Sequence, residues 1–263
     1  MSAVQPTPPA PPTPAGRFLE QDLIPGVLPT GHRATRRLVI LGLTGVWAAI
    51  MAIGALHVLP PTRTLDPMSR TISEYALFED GWVFDAGVIV LAVGSALVGA
   101  AMIRAGMIVG RSWASVLLGA WCVGLIGLIV FPKHGFGADT TLAGRIHWSW
   151  TLLAFFSLPG GALLSCWRRG PGLTAGRWPR AVALLCLVAF GWFVVLTAQT
   201  VVGAVSTLET WRFVGLVERG LSLTEMATVL VLGWWVLAHL TPEPVTRAVR
   251  PDTSGRPSPR PSG

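Results

Sequence analysis

The side chains with the most chemistry to offer are scattered along the chain but share a depth. They are His57, Ser73, Glu74, Asp85, Arg145, His147, Glu218, Arg219 and Glu225. Glu218, Ser222 and Glu225 recur at i, i+4 and i+7, the spacing of one helix face. Carboxylates beside guanidinium groups suit a pocket for a lipid headgroup or a small polar ligand. His57, His147 and Asp85 have the right donor types for zinc. A metal-bound water there would attack a lipid amide or ester carbonyl, with Ser73 or Glu74 assisting. Glu225 suits a proton relay in a coupled transporter. Each group also has a plainer reading. Asp85 can complement a helix dipole. Glu225 can be ion-paired glue between helices. The histidines, which lack HxxxH or HxxE spacing, can be interfacial hydrogen-bonders. Arg145, Arg212 and Arg219 can snorkel to headgroups.

The elements that position these groups follow from composition. The 263 residues are 52% hydrophobic and 13% charged, against roughly 25% charged in soluble domains, and the mean hydropathy is +0.59. Half the usual charge cannot cover a water-facing surface, so a cytosolic enzyme, a nucleic-acid-binding module and a secreted disulfide scaffold are excluded. The net charge of +7 comes from short basic clusters between apolar runs, not from one basic face, so nucleic acid is not an expected partner. Membrane lipids are. Cys122, Cys166 and Cys186 sit inside apolar runs and read as small core hydrophobes. No cofactor is expected, zinc entering only with the hydrolase reading.

Six segments, 38–59, 83–103, 113–131, 146–167, 181–203 and 218–239, have the apolar length of a membrane span. Lipid leaves backbone groups no water, so such runs are helices. The expected fold is therefore all-α, a polytopic transmembrane bundle of six helices over residues 37–240. Residues 1–36 and 241–263 are Pro-rich tails without apolar periodicity, expected to be disordered and cytoplasmic. The first apolar run follows Arg33, Arg36 and Arg37 and is too long for a signal-peptide core, so it reads as a retained anchor. Tryptophans such as Trp82, Trp113, Trp148, Trp150, Trp178 and Trp211 fall near span ends as an aromatic belt, and Pro159-Gly-Gly marks a kink.

With the N-terminus inside, the inner segments hold fourteen of the twenty basic residues and the outer segments nine of the thirteen acids. Both termini are then cytoplasmic, at the cell membrane. The first outer loop opens with Asp66-Pro67, a helix-start signal. Met68, Ile72, Tyr75 and Ala76 form an apolar stripe, which predicts a short interfacial helix over 67–77, on the leaflet or across the bundle's mouth. Walker, Gly-x-Ser-x-Gly and two-haem histidine patterns are absent, and no inverted repeat is visible.

These outer segments resemble a known family. The resemblance lies in Asp66-Pro-Met-Ser-Arg-Thr-Ile-Ser-Glu-Tyr-Ala-Leu77, Gly81-Trp-Val-Phe-Asp85, Val130-Phe-Pro132, Thr140-Thr-Leu-Ala-Gly-Arg-Ile-His147 with Leu158-Pro159, and Gly215-Leu-Val-Glu-Arg219 leading to Glu225. It is to the bacterial, largely actinobacterial, six-helix membrane family called domain of unknown function 998, over roughly residues 37–240. The resemblance implies that Ser73, Glu74, Asp85, His147, Glu218 and Arg219 match the family's polar outer positions. It implies no reaction.

Overall fold

A computed structural model describes residues 30–133, 141–167, 176–205 and 210–241. Six long helices account for most of them: α1 (Thr30–Ala55), α2 (Gly81–Arg104), α3 (Trp113–Val130), α4 (Leu142–Trp167), α5 (Arg177–Val205) and α6 (Val214–Leu240). All six are long and apolar enough to cross a membrane. The shortest, α3, has 18 residues, which at about 1.5 Å per residue nearly matches a hydrocarbon core of about 30 Å.

Helix ends depart from the apolar runs where polar residues still favour helix. α1 begins at Thr30, so residues 30–36 are helical and not part of a tail. Helix-forming arginines extend it past its apolar stretch. It stops at Ala55 because Pro60 and Pro61 lack the N–H groups that another turn needs, and tight turns follow from His57 onward. The rest of both tails, with Arg168 and Arg169 between α4 and α5, lies outside the described residues. α4 runs unbroken through Pro159.

Close contacts set the pairing. A Cβ on Gly42 would stand 2.8 Å from the Gly94 carbonyl oxygen, while Gly87 lies against Ile53. α1 and α2 are therefore antiparallel and nearly touch by their backbones. Gly124 against Ala154 and Gly161 against Ala114 pair α3 with α4 in the same way. α6 closes the bundle, meeting α1 where Gly233 lies under Leu43 and α5 where Gly220 lies under Trp192. Leu184, Leu187 and Val194 on α5 and Val116, Val123 and Val130 on α3 stay exposed, an apolar exterior suited to lipid.

The short helix expected over 67–77 is present in its second half, as the 3-10 helix Ile72–Leu77, and lies across the bundle's mouth. With a 3-10 turn at Thr62–Thr64 it covers one end of the bundle, here called the capped end. Asp66 does cap the chain: its carboxylate accepts from the amides of Met68 (3.1 Å) and Ser69 (3.2 Å). The turn does not grow into an α-helix because α6 takes its carbonyls, Leu216 N–H bonding Met68 O and Arg219 bonding Pro67 O and Arg70 O. Ile72 and Tyr75 are buried on the bundle rather than spread on a leaflet.

Candidate functional site

The cap is held by one side chain. Arg219, in the second turn of α6, donates from Nε to His57 Nε2 (3.0 Å), from Nη1 to the carbonyls of Pro67 (2.9 Å), Arg70 and Gly215, and from Nη2 to the Tyr75 hydroxyl (2.9 Å). The planar guanidinium presents N–H donors around its edge and so serves acceptors spread over a wide arc, which an ammonium could not. Gly215 makes the approach possible, since any Cβ there would collide with the backbone of Pro67 and Arg70. His57 Nδ1 lies 3.1 Å from Ile53 O. A carbonyl only accepts, so Nδ1 carries the proton and Nε2 the lone pair that Arg219 needs. Burial holds the His57 pKa below its ordinary value against the Ile53 carbonyl, and the Arg219 charge pushes it the same way.

Beside the clamp lies a buried ion pair. Glu74, 4% exposed, accepts at Oε1 from Lys133 Nζ (3.3 Å) and Thr71 Oγ1 (3.1 Å), and its Oε2 faces Arg70 Nη1 at 3.5 Å. Lys133 also donates to Thr71 Oγ1, tying the segment after α3 to the cap. Glu218 lies beside the backbone N–H of Ser73, with the charges of Lys133 and Arg219 nearby.

Under this roof is a cavity of about 60 Å³ between α2, α3, α4 and α6. Its polar lining is Ser73, His147, Thr151, Glu218 and Ser222, and its floor is apolar, with Phe84, Trp121 and Phe155. His147 Nδ1 lies 2.8 Å from Phe131 O and 3.2 Å from Leu128 O. The same tautomer argument puts the proton on Nδ1 and makes Nε2 the basic nitrogen. Thr151 donates to His147 O (2.9 Å), fixing the turn that carries the ring.

Of the residues singled out in the sequence, Ser73, Glu74, His147, Glu218 and Arg219 meet at this end. Asp85 is half-exposed on α2 and Arg145 exposed on α4, and neither side chain bonds another described residue. Glu225 lies deeper on α6, fully buried, with no hydrogen-bond partner for either oxygen among the described residues. The metal triad does not assemble. His57 is taken by Arg219, and among the described residues no three His, Cys, Asp or Glu side chains cluster as a metal site requires. Sequence reasoning missed Lys133, Tyr75, Thr71 and Thr151 as parts of the site. Two carried a signal, for Lys133 is the chain's one lysine and Tyr75 its one tyrosine.

A family model described as a protein of unknown function, DUF998, matches residues 28–235. The chain belongs to the DUF998 family. The match includes every residue of the cap, the clamp and the cavity. No curated protein and no solved structure matches the chain. With six membrane-length helices, this DUF998 member is a multi-pass integral membrane protein.

Proposed function

We propose that this protein binds a small polar or amphiphilic molecule, a lipid headgroup or a solute, in the cavity beneath the cap. The observation that carries the reading is the cavity itself, a mostly apolar space with an aromatic floor that Glu218, His147, Ser73, Thr151 and Ser222 help to line. The clamped cap supports it, since a fixed roof pre-organises the polar groups and reduces the ordering cost of binding. Melting the detergent-purified protein against a panel of lipids and solutes tests it. A ligand should raise the melting temperature of the wild type and not of Ser222→Phe, whose ring fills the cavity. Equal responses in both proteins would overturn the reading.

The basic-residue asymmetry supports an orientation with both termini in the cytoplasm of the cell and the capped end outside. Single cysteines placed at Arg63 and at Gly106, in the α2–α3 connection, in a cysteine-free background test it. A membrane-impermeant thiol reagent applied to intact cells should label the first and spare the second.

Glu225 favours a second reading, a proton-coupled transporter in which this carboxyl moves the proton. A fully buried acid with neither oxygen bonded is expensive to keep and marks ion pathways in other membrane bundles. Uptake that is independent of pH, or unchanged in Glu225→Gln, would remove it.

A further inference from the structure

The charge and hydrogen-bonding character of the cavity point to one ligand class, and we infer that the cavity selects a small organic ammonium group. This rests on the binding reading above. Among its lining residues the one formally charged side chain is a carboxylate, Glu218, which is 8% exposed. No lysine or arginine lines it. Lys133 and Arg70 pair with Glu74 and Arg219 bonds the cap, so the charges of Lys133 and Arg219 act on Glu218 from outside the cavity wall. The hydroxyls of Ser73 and Ser222 can accept as readily as donate. A mostly apolar lining whose few polar groups are hydroxyls, an imidazole and one carboxylate rewards a charged N–H donor on an apolar body and penalises an anion. The rings of Phe84, Trp121 and Phe155 add faces that attract a cation.

Size narrows the class. A cavity of about 60 Å³ holds roughly two waters at about 30 Å³ each, which matches an ammonium on a chain of one or two carbons. The same head could arrive as a free amine or as the headgroup of a phosphatidylethanolamine.

The test uses the full-length protein and three probes of one shape: ethylammonium, ethanol and acetate. Their binding is measured by thermal shift and by quenching of tryptophan fluorescence. Ethylammonium should bind about tenfold or more tightly than the other two, and Glu218→Gln, which keeps the shape of the side chain and removes its charge, should erase that preference. Stabilisation in nanodiscs of phosphatidylethanolamine but not phosphatidylglycerol, again lost in Glu218→Gln, with no response to the soluble amine, would assign the lipid as the source. Equal binding of amine and alcohol, unchanged in Glu218→Gln but abolished in Ser222→Phe, would overturn the ammonium inference and leave the binding cavity standing. No binding of any probe or lipid would overturn both.

Discussion

Arg219 donates its Nε–H to Nε2 of His57 over 3.0 Å, joining residues 162 positions apart in sequence. The bond requires a neutral imidazole, and the Ile53 carbonyl at Nδ1 supplies the matching tautomer. Tyr75 stacks its ring edge-on against His57 at 5.2 Å and offers its hydroxyl to the same guanidinium. Cap, α1 and α6 thus share one hydrogen-bonded corner, and the roof of the cavity is as stable as that corner.

Arg219→Lys should open the roof. Lysine keeps the charge but cannot serve His57, Tyr75 and the Pro67 and Arg70 carbonyls together, so buried acceptors lose their partners at a cost of about 2–4 kcal/mol. Arg63 lies exposed in the cap and reports the change directly. Trypsin should cut after it many times faster in the variant. Cleavage at the wild-type rate, with unchanged melting, would mean that apolar packing holds the cap without the clamp.

Acid should loosen the same corner. The His57 pKa is lowered in the folded chain from an ordinary 6.5, by burial first. Between the two values the unfolded state binds more protons, so this contribution to stability is present above pH 6.5 and is lost as pH falls below it. The groups facing the ring are Arg219 from α6 and Tyr75 from the cap, and a protonated imidazole beside the guanidinium would be repelled. Asp66 stays charged through this range, since the Ser69 hydroxyl, then the Met68 amide, hold its carboxyl low. Melting temperatures measured from about pH 7.5 down to 5 should fall more steeply in the wild type than in His57→Gln, whose amide oxygen accepts from Arg219 and does not titrate. Parallel curves would exclude His57 as the source.

The Lys133–Glu74 pair should show strong coupling. Lys133→Met leaves Glu74 buried with Arg70 as its remaining cation, and should cost about 1–3 kcal/mol. In the background of Glu74→Gln the same change should cost much less, because the charge that Lys133 balances is gone. A double-mutant cycle by reversible unfolding in detergent measures the difference. Additive effects would make the pair a surface contact of little energetic weight.

Helices and their number were legible because lipid allows few backbone solutions, so apolar length alone marks each span. The site was half legible. Glu218 and Arg219 are neighbours in sequence, yet Arg219 reaches up to the cap while Glu218 lines the cavity, a divergence set by the 100° turn per residue of a helix. The short helix of the cap was legible, but it is shorter than 67–77, because the contest for the Pro67, Met68 and Arg70 carbonyls is won by α6, far away in sequence. Lys133 was hidden by its setting just beyond α3, where a basic residue reads as an interfacial anchor until its partner Glu74 is seen.

Glu225 offers the sharpest separation of stability from function. It is fully buried and neither oxygen has a hydrogen-bond partner, so the fold gains nothing from its polarity. Methionine has a similar length and no comparable desolvation penalty. Glu225→Met should therefore raise stability, by about 1–3 kcal/mol if the whole penalty is relieved. A structural polar residue behaves in the opposite way, because its removal orphans a partner, and Glu225 has none to orphan. Unfolding of the wild type and the variant in the same detergent measures the sign. A stabilised variant that has lost transport would show that the carboxyl is kept for function at the expense of the fold. A destabilised variant would show that Glu225 holds the helices together through an ordered water or a bound ion.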